Sequence, residues 1–460
     1  MEELRRGAIP FRQDASSQRF AVLCVIALIC ALTGGSSQAT QPALLVLRPA
    51  MVVGIVAILL IPGRMDWRSI GPLPLLLALF AATMLIQLVP LPPALWLAMP
   101  GHDRYAVAVK EMPQTWRSIT LTPDLTINSL LALLPALATL VAFAGMRDQQ
   151  RKHAIWLIVA IALIDIVFVL VQVGGGSESW AFLYGQGVDL VPTGLLANRN
   201  HQALLLATVF PTLAVAVRAY RSSGRIGLLS AIGMALVLIP IILLSGSRTG
   251  TALAVVAVLA SVWLLPQRNT SAPRLSRRLI FFGALGLLAL LVVATVISGR
   301  ALSIERLADV AAGERDMRWR ALPTMVAMTR DFFPFGIGYG AFDPVFRGYE
   351  PDQFLYNTYF NRAHNDLLET LMSGGLPGLA VVLAFVGWFL GKLRVDWRSG
   401  ERDNGYSAYF GRAASLIIIL MLIASLVDYP LRTGIVSMVF SLACCWVAAS
   451  RQRALAVRRN

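Results

Sequence analysis

His364 and a group of arginines are the residues in this sequence whose types could do chemistry together. His364 is one of four histidines in 460 residues. It stands in Arg362-Ala363-His364-Asn365-Asp366-Leu367-Leu368-Glu369, at the head of a helical pattern. An imidazole can take a proton near neutral pH. A lone histidine at a membrane interface is ordinarily structural, but the charged neighbourhood here favours a base. Asn365 and Glu369 are four apart and can support one another on one helix face, while His364 can turn toward the arginines.

Arg248 lies in Leu244-Ser245-Gly246-Ser247-Arg248-Thr249-Gly250, a short polar break between two apolar runs. A guanidinium at such a place either snorkels to the interface or is paired. The small Ser and Gly neighbours leave room for phosphate oxygens, which the two-pronged guanidinium fits. Arg315 and Arg318 sit three apart in Glu314-Arg315-Asp316-Met317-Arg318-Trp319-Arg320 and share a face, either as ligands of an anion or as a solvated face paired with Glu314 and Asp316. Arg199 opens a further candidate turn in Gly194-Leu195-Leu196-Ala197-Asn198-Arg199-Asn200-His201.

Arginine is not a base at neutral pH, and a neutral imidazole cannot hold two phosphates. The types therefore divide the work: arginines stabilise a diphosphate leaving group, and histidine accepts a proton from an attacking hydroxyl. That scheme requires no cofactor and no metal, and there is no Asp-rich motif for Mg²⁺. The four cysteines, Cys24, Cys30, Cys444 and Cys445, all sit in apolar runs without metal spacing. Asp165, in the middle of an apolar run, is either functional or neutral and packed against another span. Phe335-Gly336-Ile337-Gly338-Tyr339-Gly340 lacks the surrounding βαβ unit of a dinucleotide site and reads as a tight turn or close backbone approach.

The elements that must position these residues are membrane spans. The chain is 57% hydrophobic and 14% charged, against about 25% charged in soluble domains. Apolar runs near the length of a bilayer core recur throughout. They predict an all-α polytopic protein, a single integral membrane domain over 1–460. Twelve spans are expected, at 20–33, 43–61, 72–90, 127–145, 153–173, 201–217, 227–244, 249–265, 279–297, 374–390, 413–428 and 433–449. Pro42 and Pro49 interrupt the second, where a miscount is easiest. The first run follows basic residues but has no clear small-x-small cleavage site, so a retained span is expected.

The formal charge of +15 is scattered over short loops, which argues against a nucleic-acid surface. Alternating loops hold 25 Lys/Arg on one side and 14 on the other, with Arg48 left over inside a span. The richer side, with both termini, is the cytoplasm by the positive-inside rule. Three outer segments are long: 91–126 and 174–200 as smaller loops, and 298–376 as a large, partly helical one. Eight arginines fall in 298–376, on the side where the rule predicts few. No internal repeat is evident, which weakens an inverted-repeat transporter reading.

From about 194 to 379 the sequence resembles the O-antigen ligase and polysaccharide polymerase superfamily with its Wzy-type C-terminal domain. The resemblance rests on Gly194 to His201, Ser247-Arg248-Thr249-Gly250, Arg315 with Trp319, Pro334 to Phe342, and His364-Asn365 leading into Gly375-Leu376-Pro377-Gly378-Leu379. It implies a GT-C-like helical fold. It also implies glycan transfer from an undecaprenyl-diphosphate donor at the periplasmic face of a bacterial inner membrane. Functional roles carry over to His364, Arg248 and Arg315 as catalytic residues. Arg248, Arg315, Arg318 and Arg199 are implied for the diphosphate, with Asn365, Glu369 and Trp319 in support. Ser373 stands where many members have an acidic residue. Asp428-Tyr429-Pro430-Leu431-Arg432-Thr433 is similar to members of exopolysaccharide systems and points toward polymerase.

An acceptor that is another lipid-linked repeat makes the enzyme a polymerase. A lipid A core acceptor makes it a ligase, and a protein hydroxyl makes it an O-oligosaccharyltransferase. Partners would include a chain-length regulator and export machinery. A transporter or flippase of an anionic lipid or polysaccharide would want charges along the spans, which are nearly clean here.

Overall fold

The computed structural model describes residues 14–185, 191–219, 224–264, 286, 317–354, 361–398 and 406–450. Its principal helices are α1 (Ala15–Thr33), α2 (Leu44–Leu60), α3 (Leu73–Gln87), α4 (Leu134–Gly145), α5 (Ile155–Gly175), α6 (Arg199–Ala207), α7 (Val209–Ala219), α8 (Gly224–Leu244), α9 (Arg248–Val262), α10 (Met317–Asp331), α11 (Asp366–Arg398), α12 (Tyr406–Ser425) and α13 (Gly434–Ala449). Among the described residues the protein is all-α apart from one short antiparallel pair, Pro90–Leu91 with Arg117–Ser118.

Among the described residues, six helical stretches are long and apolar enough to cross a membrane: Ala15–Thr33, Pro123–Gly145, Asp148–Gly175, Arg199–Val217, Asp366–Arg398 and Ala408–Ser425. Five shorter apolar helices, Leu44–Leu60, Leu73–Gln87, Leu229–Leu244, Arg248–Val262 and Gly434–Ala449, occupy other expected spans. The expected span 279–297 lies outside the described residues apart from Gly286. Pro49 does not break the second span; α2 runs through it. Leu45, Val53 and Leu60 on that helix are exposed, the inside-out arrangement of a surface that meets lipid.

Polar groups inside this apolar body are spent on backbone. Arg19 is buried in α1 and donates to Ile61 O at 2.6 Å, Gly145 O at 3.0 Å and Gly63 O at 3.1 Å. These carbonyls lie at the ends of α2 and α4, where the helix dipole favours a cation. Asp165 is fully buried in α5. Its carboxylate accepts from Leu195 N at 2.7 Å and Gln202 Nε2 at 3.1 Å, so it fastens the 193–202 segment to the bundle. Gly194 lies in that segment at φ +60°, and a Cβ there would fall 2.1 Å from Asp165 Oδ1.

One continuous core joins α1 to α9 and α11 to α13. A second, smaller core gathers Met325 and Met328 of α10 and the following Phe332 with Phe342, Phe346 and Met372. The segment from 317 thus has an apolar interior of its own rather than lying as a bare basic strap. It docks on a kink in α11, where Gly375 leaves helical geometry at φ 58°. Leu376 N donates to Pro334 O at 2.8 Å, and Gly338 N to Ser373 O at 3.0 Å. Gly336, Gly338 and Gly340 all have positive φ, and a Cβ on Gly336 would sit 2.5 Å from Ser373 O. The glycine run is a close backbone approach.

Candidate functional site

Four polypeptide segments meet where α6, α9, α11 and the turn after α12 converge. The turn between α12 and α13 supplies Asp428 and Tyr429. Asp428 is buried, and its Oδ1 lies 3.5 Å from Nδ1 of His364 and 3.5 Å from Nε2 of His201. Its Oδ2 accepts from Asn200 Nδ2 at 2.8 Å and lies 3.4 Å from Asn198 Nδ2. Burial alone would raise this carboxyl. The two histidines outweigh that and hold it well below the usual carboxylate range. Asp428 is therefore ionised at neutral pH. The Tyr429 ring lies 5.1 Å from each imidazole, centroid to centroid, and its burial pushes the phenol up to about 12.

His364 holds its place under strain. It has φ +50°, the one non-glycine residue with positive φ among those described, a conformation uncommon outside glycine. Flanking bonds fix it. Ala363 N donates to Glu369 Oε2 at 2.9 Å, and Asn365 Oδ1 accepts from Leu368 N at 2.9 Å, capping α11. Asn365 Nδ2 reaches across to Leu426 O at 2.9 Å.

The side chains of Asn365 and Glu369 do not pair as the i,i+4 spacing suggests. Glu369 is fully buried and bridges two arginines, Arg362 Nη1 at 3.1 Å and Arg432 Nη1 at 3.4 Å. Arg432 also donates from Nε to Asp366 Oδ1 at 3.1 Å. Capping α11 and holding the loop crossing above it use up both groups. His364 Nδ1 faces the Asp428 carboxylate.

Arg248 is joined to this centre through a short relay. Ser247 caps α9, accepting from Gly250 N at 2.9 Å, and donates to Asn200 Oδ1 at 2.8 Å. Asn200 in turn holds Asp428. Arg248 and Arg199 each neighbour one end of the Ser247–Asn200 bond, so two arginine-bearing turns are tied together. Gly250 makes that possible, since a Cβ there would lie 2.2 Å from Ala203 Cβ. The Arg248 side chain is exposed and Arg199 is half-buried. Arg315 lies outside the described residues. Arg318 is on the first turn of α10, and Trp319 beside it is 72% exposed.

A cavity of about 300 Å³ opens beside Asn198, Arg199, His201 and Tyr429. Among the described residues no group of three or more His, Cys, Asp or Glu is arranged to hold a metal ion, the His201–Asp428–His364 set included. The sequence reading missed Asp428, His201 and Arg432 as site residues. Each sits in a quoted motif, but only the fold shows that the Asp428 turn closes on His364.

Residues 233–383 match the family model Wzy_C, described as O-antigen ligase. The match agrees with the superfamily that the motifs resemble. It spans the Arg248 turn, the glycine run, His364 and the α11 kink. His201 and Asp428 lie outside it on either side. No curated protein matches the sequence.

Proposed function

We propose that this chain is a glycosyltransferase that moves a glycan from an undecaprenyl-diphosphate donor to a hydroxyl acceptor at the periplasmic face of the bacterial inner membrane. The observation that carries the reading is the ionised, buried Asp428 held 3.5 Å from His364 Nδ1. A proton on Nδ1 directed at that carboxylate leaves Nε2 as the basic atom, and the carboxylate stabilises the imidazolium that forms. The acceptor oxygen bonds to the anomeric carbon, and the bond from that carbon to the diphosphate oxygen breaks. The hydroxyl proton passes to His364, and the electron pair leaves with undecaprenyl diphosphate.

Arg248 and Arg199, tied by the Ser247–Asn200 bond, fit the role of diphosphate ligands, with Arg315 and Arg318 completing the charge. Trp319 would flank them. Asn365 and Glu369 serve by fixing the His364 loop. The reading includes twelve spans in a GT-C-like fold, cytoplasmic termini and a metal-independent reaction.

We favour a polymerase, with a second lipid-linked repeat as acceptor. A ligase acting on lipid A core is the second reading, supported by the description of the matching family. The test supplies the purified chain in nanodiscs with a defined lipid-linked repeat, with and without lipid A core, and separates the products on a gel. A ladder formed without core supports polymerase. Attachment to core alone supports ligase. Consumption of neither donor nor acceptor sinks the transfer reading.

A further inference from the structure

The 300 Å³ cavity beside the histidine pair has a lining unlike that of a diphosphate site. Its described walls carry amides from Asn198 and Asn361 and hydroxyls from Ser37 and Thr193, with Arg199 as the one guanidinium and no carboxylate. Neutral donors and acceptors spread around a volume near the low end of ligand pockets suit a neutral polyol. A diphosphate would call for more cations in contact. Tyr429 adds an aromatic surface on which the apolar face of a sugar ring can rest.

A second observation points to an occupant. His201 lines this cavity and is 1% exposed, yet neither of its ring nitrogens has a hydrogen-bond partner in the protein. Its Nε2 faces Asp428 at 3.5 Å, which leaves Nδ1 without a group to bond. A buried polar atom in that state costs about 1–3 kcal/mol unless something completes it. Both nitrogens are shut off from the cavity as the ring stands, so a ligand hydroxyl completes one of them only where the imidazole turns toward it.

We infer that this cavity is a sugar subsite, holding one residue of the transferred or accepting glycan through hydroxyl contacts with Asn198 and Thr193. The inference rests on the glycan-transfer reading for its purpose, though its binding test does not depend on turnover. The ring held here lies next to Tyr429, which touches both imidazoles, so the subsite adjoins the reacting centre. Linkage and sugar preference would then be set in part by the cavity walls.

Two substitutions close the cavity from different walls while sparing the main-chain bonds of those residues. Thr193 N donates to Gln172 Oε1 at 2.9 Å, and Ser37 O accepts from Arg362 Nη2 at 3.1 Å. Neither bond uses the substituted side chain. The full chain in nanodiscs is titrated with the lipid-free repeat oligosaccharide released from the producing cell's own polysaccharide, and saturation-transfer NMR reads binding. The wild type and Ser37→Ala, which leaves the volume open, bind with affinities within about threefold of each other. Thr193→Phe and Ser37→Phe, at unchanged melting temperature, bind at least tenfold more weakly.

In turnover, a rise confined to acceptor KM assigns the sugar to the acceptor, and a rise confined to donor KM assigns it to the donor. No wild-type binding at millimolar oligosaccharide overturns the subsite. So does equal binding by both Phe variants, which would leave a water-filled cavity. Binding that disappears in the Phe variants while the wild type transfers nothing keeps the subsite and sinks the transfer reading.

Discussion

Asp428 Oδ1 faces Nδ1 of His364 at 3.5 Å, although one residue lies in the turn after α12 and the other before α11. In the proposed transfer this contact would leave Nε2 as the basic atom of the imidazole. His364→Ala is expected to lower turnover by about 10²-fold or more, the usual worth of a positioned base. Asp428→Asn is expected to lower kcat by a smaller factor, roughly tenfold to a hundredfold, with KM for the donor little changed. Initial rates with a defined lipid-linked repeat check both. Full turnover in His364→Ala removes the base assignment.

The pH dependence of stability follows from the same carboxylate. Its folded pKa is depressed by the two histidines. Its contribution is therefore fully present above the unfolded value of about 3.9, and is lost as pH falls through the folded value. The melting-temperature gap between wild type and Asp428→Asn should hold from pH 8 to pH 5 and narrow only below about pH 4. A gap that closes between pH 7 and pH 5 contradicts this account.

Arg248→Lys separates fork from charge. Lysine keeps the cation but loses the two parallel donors that match a phosphate. The expected result is a rise of about tenfold in donor KM, or an equal loss in kcat/KM, with the melting temperature unchanged because the side chain is exposed. Unchanged kinetics would reduce Arg248 to an interfacial residue.

How far the sequence discloses all this depends on the range of the interactions. Spans follow from local apolar length, so the helices from Ala15–Thr33 to Gly434–Ala449 are readable in order. Pro49 leaves the expected second span intact, because a proline marks where a hydrogen bond is lost and α2 tolerates that loss on its exposed face. His364 is readable because it is rare and sits among charges. Its partner is not, since Asp428 reaches it only through the packing of α11 against α12. The same holds for Glu369, whose sequence neighbour Asn365 is an obvious partner and whose actual partners include the distant Arg432.

Glu369 shows what that distant pairing is worth. It is fully buried between Arg362 and Arg432, and it also receives Ala363 N. Removing one member of a buried ion pair leaves uncompensated charge, at a cost of about 3–5 kcal/mol. Glu369→Gln should lower stability by roughly that amount and release the His364 loop, so kcat falls with it. Chemical denaturation in mixed micelles and initial rates measure the two effects. A stable Glu369→Gln with lost activity would instead mean that the carboxylate acts directly on substrate.

Gly194 is the sharper test of how Asp165 works. If Asp165 acts only by fastening Leu195 N and Gln202 Nε2, disturbing the fastened strand should reproduce its loss. Gly194 has φ +60°, where an L side chain is strained, and its Cβ would lie 2.1 Å from Asp165 Oδ1. Something must shift, and the segment that shifts leads directly to Asn198, Asn200 and His201. Gly194→Ala and Asp165→Ala are therefore expected to lose stability alike, each by about 2 kcal/mol or more. Turnover should fall in parallel, and the double variant should be little worse than either single one, because both break one contact. Additive losses would show that Asp165 has a second role beyond holding the loop.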